Sequence, residues 1–316
     1  MRRAWTASKT DQGAADRALF PPQNIVEIKA LACELPRTLK LPFSRLSHAD
    51  IANEAMARGL VLSISIRTVW RYLHNDAIKP WNHHSWLFPR DPLFAERAER
   101  VLDLYFRVFE GEPLGPDDYV ISADEKTSIQ ARRRIAIGTG PMPHQPRRVE
   151  AEYERKGALG YLAAWDVDRG KLFGICERKT GIQAHHKLVD LVMRQEPYRS
   201  ARRVFWITDN GSSHRGESSI QRLLNWYPNA IQIHTPIHAS WLNQVEIIFS
   251  ILQRKVLTPN DFNDLIALQM AIYGFEDLYN EIAKPFHWKY TKDDLKKTLQ
   301  KIEAKAAETK TLPRAA

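Results

Sequence analysis

From residue 119 to residue 257 the chain alternates short apolar runs with amphipathic helical stretches, and that order leaves few folds open. YVISAD (119–124) is expected as a strand. GALGYLAAWDVDRGKLFGICE (157–177) reads as a hairpin turning at Asp168, Arg169 and Gly170. AHHKLVDLVMRQEPY has the pattern of a helix. RRVFWITDNG (202–211) carries four consecutive apolar residues, Val204 to Ile207, as a strand buried on both faces would. SSHRGESSIQRLLNWYP is a helix, IQIHT a strand, and WLNQVEIIFSILQRKVL a final helix with Leu242, Val245, Phe249, Leu252 and Val256 at steps of three and four. The expected fold is α/β: a mixed sheet of five strands with helices on its faces.

GEPLGPDD (111–118), rich in Gly, Pro and Asp, marks a boundary before this region. Residues 1–20 are polar and aperiodic, a loose arm. Residues 21–90 are expected to form an all-α helix-turn-helix domain. In it SHADIANEAMARG starts at an N-cap, Ser47, and stops at Gly59, and SISIRTVWRYLHND turns Val69, Trp70 and Leu73 inward. The second of these helices carries Arg67, Thr68, Arg71 and Tyr72, basic and hydroxyl side chains suited to DNA. Residues 91–116 read as a helical connector, 117–290 as the catalytic domain, and 291–316 as a basic helix and tail. No internal repeat is present.

The chain of 316 residues has 46 Lys and Arg against 37 Asp and Glu, a net charge of +9, which suits a polyanionic partner without identifying it. Two cysteines, Cys33 and Cys176, exclude a disulfide framework and a cysteine zinc cluster. No run approaches 18 apolar residues and the start lacks the apolar core of a signal peptide, so no membrane partner and a cytoplasmic, nucleoid-associated location are expected.

Two acids fall where strands end: Asp124 closes YVISAD and Asp209 closes RRVFWITD. Sites in open α/β sheets form beyond the carboxyl ends of strands. Glu246 comes from the helix that follows IQIHT, so its first turn can reach the same edge. Three carboxylates brought together would repel, and a divalent cation removes that penalty. Hard oxygen ligands without sulfur favour Mg²⁺, with Mn²⁺ able to substitute. Two ions roughly 3.5–4 Å apart can clamp a phosphodiester and stabilise both the attacking and the leaving oxygen. Glu125 is the alternative to Asp124; alternation places the two on opposite faces, and Asp124 is preferred. Asp209-Asn210-Gly211 also reads as turn chemistry, and Asp166 and Asp168 read as solvated residues beside a hairpin turn.

DEKTSIQA (124–131), FWITDNGSSHRG (205–216) and HTPIHASWLNQVEIIFSILQRKVL (234–257) resemble the catalytic motifs of bacterial insertion-sequence transposases of the mariner superfamily. These are DDE enzymes with a ribonuclease-H-like fold, and the resemblance spans roughly residues 40 to 295. It implies that Asp124, Asp209 and Glu246 are the catalytic, metal-binding triad; 36 residues separate the last two, close to the superfamily's usual spacing. It further implies cleavage at transposon ends by metal-activated water, attack of the freed 3′-hydroxyl on target DNA, commonly at TA, and a homodimer on the terminal inverted repeats. Relatives often carry two helix-turn-helix units, whereas this chain has room for one. The competing readings are a protein that only binds DNA, as a repressor or an inactive remnant, and a nuclease acting on RNA–DNA hybrids.

Residues 126–156 carry eight Lys or Arg against three Glu, and read as a basic, mobile loop beside the metals. Lys126, Arg132, Arg133, Arg134, Arg147 and Arg148 are its expected phosphate contacts. His214 and His238 are candidates for positioning substrate, His214 equally for a hydrogen bond at the start of a helix. Trp241 reads as core, with base stacking as the functional alternative. Asn243 could bind backbone or DNA. His185 and His186 are expected to be exposed.

Overall fold

A computed structural model describes residues 20–76, 78–82, 89, 91–136, 138–211 and 216–311, with side chains to 305. The chain divides into two compact units, residues 1–86 and 87–316.

In the first unit three helices, α1 (Pro22–Ala32), α2 (His48–Ala57) and α3 (Ile66–Asn75), enclose a core of Ile28, Leu31, Ile51, Ala55, Val69 and Leu73. The α2 start is a capping box: the Ser47 hydroxyl accepts from the Asp50 N–H at 3.2 Å, and the Asp50 carboxylate accepts from the Ser47 N–H at 2.8 Å. Gly59, at φ 71°, ends the turn after it. On α3 the sequence reading needs correction. Thr68 and Tyr72 are buried, Thr68 in the cap with Ser65, whereas Trp70 is 47% exposed and stacks on His74 at 4.8 Å. A helix turns about 100° per residue, so a stripe containing Val69 and Leu73 takes in Thr68 and Tyr72. It leaves Arg67, Trp70, Arg71 and His74 together outside.

The second unit is built on one five-stranded sheet in the order β5-β4-β3-β6-β7. It opens with α4 (Phe94–Tyr105) and a short hairpin, β1 (Val108–Phe109) and β2 (Glu112–Pro113). Strands β3 (Asp118–Arg133), β4 (Glu154–Asp166) and β5 (Lys171–Glu177) form an antiparallel meander. After α5 (Ile182–Met193), strand β6 (Arg203–Thr208) returns parallel to β3; α6 (Glu217–Trp226) then leads to β7 (Ala230–His234), parallel to β6. A short 3-10 turn (Ser240–Leu242) precedes α7 (Val245–Lys255), α8 (Leu265–Ile282) and α9 (Lys292–Thr311).

Strand alternation sorts the core into two layers. Val120, Phe205, Ile207 and Ile233 face α4, α7 and α8; Ile121, Ala123, Val204 and Trp206 face α5 and α6. Helix α4, expected as a connector, lies in the first layer through Phe94, Ala98, Val101 and Leu102, and Leu295 of α9 joins it there. Among the described residues no helix is long and apolar enough to cross a membrane.

The strand expected at 119–124 runs on to Arg133. The two ends of what reads as a basic loop, 126–133 and 154–156, are therefore sheet, because β4 pairs with β3 from Asp166 back to Glu154 and Ile129 and Ala131 are buried. Register shifts between Lys126 and Ile129 and between Gln130 and Arg132 mark an irregular stretch, with Ser128 at φ 57°. Asp166 is buried rather than solvated. It accepts from the backbone N–H groups of Asp168 and Arg169 and from the Tyr198 hydroxyl at 2.6 Å, so it fastens the β4–β5 turn. His185 is also buried, edge-on to Trp206, while His186 stacks on Trp226.

Candidate active site at the carboxyl edge of the central strands

Strands β3 and β6 are parallel, and Ser122 pairs with Ile207. Two residues past that pair come Asp124, still inside β3, and Asp209, one residue past the end of β6, and alternation assigns both to the α7 side of the sheet. Glu125 falls on the opposite face, in step with Ala123, its Oε2 buried without a hydrogen-bond partner. Asp209 retains its turn role as well: it accepts from the Gly211 N–H at 2.7 Å, and Asn210 donates to the Thr235 carbonyl at 2.6 Å.

Glu246 lies in the first turn of α7, and the way that helix starts explains its placement. The Asn243 side chain is buried against β3. Its amide donates to the Ala123 carbonyl at 2.9 Å and reaches the Asp124 carboxylate at 3.5 Å, and its oxygen accepts from the Ser122 hydroxyl. The same hydroxyl accepts from the Val245 N–H at 2.9 Å. Tyr105 of α4 donates to the Leu242 carbonyl at 2.7 Å and accepts from the Gln244 N–H at 3.3 Å. Below these bonds Val245, Ile248, Phe249 and Leu252 are buried, so docking of the apolar stripe and stapling of the helix start act together. Leu242 belongs to the buried set but to the 3-10 turn, since the helix begins only at Val245.

Burial pushes the Glu246 carboxyl above the usual carboxylate range; Lys126 draws it back down and the Asp209 charge pushes it up further. Lys126, two residues past Asp124 on the same strand, lines a shallow cleft with Glu246, Ser250 and Arg254. Asp124 inside β3, Asp209 just past β6, Glu246 on α7 and the Lys126 ammonium therefore share one face. Among the described residues no group of three His, Cys, Asp or Glu side chains is drawn tightly enough to hold an ion. The backbone brings the acids to one edge; their side chains are not gathered into a closed ligand set.

The other expected residues scatter. His238 is exposed at φ 63° in a 300 Å³ cleft that also takes in Asp209, Asn210 and Thr235. Trp241 is not core: it is 40% exposed and meets Tyr290 edge-on at 5.3 Å. His214 lies outside the described residues. Arg132 and Arg134 project from one side of β3's far end. Arg133 points to the other side, beside its cross-strand partner Glu154, and Arg147 and Arg148 are exposed further along. Ser122 and Tyr105 were not singled out from the sequence. A serine in a strand and a tyrosine in an amphipathic helix carry no signal until the fold brings them to the α7 start.

Residues 120–269 match the family model described as DDE superfamily endonuclease. Among solved structures the chain is similar to a pre-cleavage Mos1 transpososome, at 14% identity and a TM-score of 0.51, covering 90% of this chain and 80% of that one. It is also similar to the Mos1 strand transfer complex, at 13% identity and a TM-score of 0.50, covering 92% and 79%. Identities this low establish the fold: a ribonuclease-H-like sheet with flanking helices, preceded by a helical region. No curated protein matched.

Proposed function

We propose that this chain, whose residues 120–269 match the DDE superfamily endonuclease model, is a DNA transposase that cuts transposon-end phosphodiesters and joins the freed 3′-hydroxyl to target DNA. The observation that carries this reading is the parallel pairing of β3 with β6, which brings Asp124 in β3 and Asp209 just past β6 to one face, where the Asp209 charge acts on Glu246 of α7. The structures it resembles capture Mos1 before cleavage and in strand transfer, and the proposal extends those two steps to this protein.

Asp124, Asp209 and Glu246 are the residues that would hold divalent ions. Three carboxylates suit Mg²⁺ or Mn²⁺, and a cation bound there would offset the burial and the Asp209 charge that raise the Glu246 carboxyl. Bound there, a pair of ions supplies activation of the attacking oxygen and stabilisation of the leaving one. The chain's own part is positional. Asn243 and Ser122 fix the α7 start, the Asp209–Gly211 turn fixes the second acid, and Lys126 offers a cation to a phosphate beside Glu246. In the first unit, α3 presents Arg67, Trp70, Arg71 and His74 to duplex DNA. The reading includes a homodimer on terminal inverted repeats, insertion at TA and a cytoplasmic location.

Purified protein, Mn²⁺ and end-labelled inverted-repeat DNA test it. Nicking at the transposon end by the wild type and none by Asp209→Ala is the expected result. Equal cleavage by both, or none by the wild type, overturns the enzymatic reading of this site.

A further inference from the structure

Past Lys126 the edge of β3 that faces β6 is left open, because the β6 ladder ends at the Ser122–Ile207 pair. Further along, the chain that follows α7 closes it again. Asn260 accepts from the Arg132 N–H at 2.9 Å and donates to the Gln130 carbonyl at 2.7 Å, and the Phe262 N–H donates to the Arg132 carbonyl at 2.8 Å. Asp261 accepts from the Arg134 N–H at 3.1 Å, and the Arg134 guanidinium donates to the Asn260 carbonyl at 3.1 Å. Between these two closures lies a groove of about 430 Å³, floored by the irregular stretch at 126–130 and walled by the end of α7. Lys126, Ser128, Arg132 and Arg134 line one side of it, Gln253 and Thr258 the other. The lining holds three cations and no carboxylate, and Lys126 and Gln253 also belong to the cleft that holds Glu246.

A second observation points to a ligand. The Arg132 guanidinium lies 4.5 Å over the Tyr153 ring, which holds its plane in place, yet its Nε is buried without a hydrogen-bond partner. The buried Nε is out of an incoming ligand's reach, but the guanidinium is stacked in place and the residue lines the groove, so its charge is presented to an anion there. The hydroxyl and amide groups around it bond phosphate and sugar oxygens without regard to sequence.

We propose that this groove holds the sugar–phosphate backbone of one DNA strand running away from the scissile bond. Lys126 is its contact nearest the acids, and Arg132 and Arg134 contact phosphates further along. The open strand edge sets the path: it starts at Asp124 and leads, over roughly 25 Å of strand, to the arginines. Arg133, Arg147 and Arg148 are outside it. The identity of the polyanion rests on the transposase reading; the groove's preference for a nucleic-acid strand does not depend on any cut being made.

The test is binding by the full-length protein, without divalent metal, of a fluorescein-labelled oligothymidine of about 20 nucleotides, a probe that asks nothing of a duplex-reading helix. Anisotropy titrations from about 50 to about 300 mM KCl give affinity and salt slope. Arg132→Gln is expected to weaken binding roughly tenfold and lower the slope by about one. Gln253→Glu, which sets a carboxylate in the groove and replaces the amide's donation to the Thr258 hydroxyl with acceptance from it, is expected to weaken binding at least as much. Lys179→Gln, an equal loss of charge on an exposed residue elsewhere, is expected to bind like the wild type. Wild-type affinity in both groove variants, or the same loss in Lys179→Gln, overturns the proposal. If Arg132→Gln melts early by circular dichroism, the exposed helix position Gln253 decides alone. A protein that fills the groove but cuts no DNA keeps this proposal and loses the transposase reading.

Discussion

Ser122 and Asn243, 121 residues apart in the chain, are hydrogen-bonded side chain to side chain beneath the candidate active site. Through that contact the central strand and the start of α7 are one structural piece, and the distance between Asp124 and Glu246 follows from it.

Asn243→Ala should therefore cost cleavage out of proportion to stability. Removing the amide leaves the Ala123 carbonyl without its side-chain donor and the Ser122 hydroxyl without its acceptor, a loss of roughly 1–3 kcal/mol. A melt lowered by that amount, with end cleavage almost abolished, is the expected pair of results. Unchanged cleavage would show that the α7 start is held some other way.

Glu246→Gln separates chemistry from folding. The carboxyl's folded pKa is raised, so its ionised form weakens the fold at neutral pH, and the neutral amide should melt no lower than the wild type at pH 7. Duplex binding should persist and strand cleavage vanish. An unfolded variant would make Glu246 a structural residue.

Glu276 on α8 sets a pH dependence of stability. Its carboxylate accepts from the Tyr161 hydroxyl at 3.0 Å and the Gly174 N–H at 3.1 Å, and burial pushes its pKa up to about 7. A group raised in the folded state stabilises most below its unfolded pKa, and that contribution disappears as pH rises through the folded value. Stability should fall from about pH 4.5 to about pH 7, by roughly 3 kcal/mol from this group. Glu276→Gln should flatten that part of the profile in denaturant melts. An unaltered slope would assign the dependence to other groups.

On α3 the exposed and buried faces should respond oppositely. Arg67→Ala should weaken duplex binding and lower its salt slope by about one, with little change in stability. Trp70→Ala should weaken binding too. Leu73→Ala, fully buried, should cost about 2–5 kcal/mol. Loss of stability in Trp70→Ala would return that ring to the core.

Much of this was legible in the chain because it depends on local pattern. The apolar run at 204–207, the stripe through Val245, Phe249 and Leu252 and the Ser47 cap were readable, since burial on two faces, helix periodicity and capping each leave a signature within a few residues. Asp209 follows the end of β6 as its pattern says, whereas Asp124, expected to close a strand, lies inside β3, which runs nine residues beyond it. Which face α3 buries was misread, because Trp70 is large and apolar but sits one step outside the stripe.

Tertiary structure alone decided the rest. Residues 126–133 read as a basic loop, and only pairing with β4, a partner beginning more than twenty residues later, makes them a strand. The parallel register that brings Asp124 and Asp209 to one edge joins segments some eighty residues apart. Ser122, Asn243 and Tyr105 become a staple only where three elements meet, and the groove exists because β6 stops short and residues 260–262 take up the edge further on. By itself the sequence determined which residues prefer to be buried and which local shapes they take. Long-range pairing decided which of them meet, because hydrogen bonds between distant segments leave no periodicity in either one.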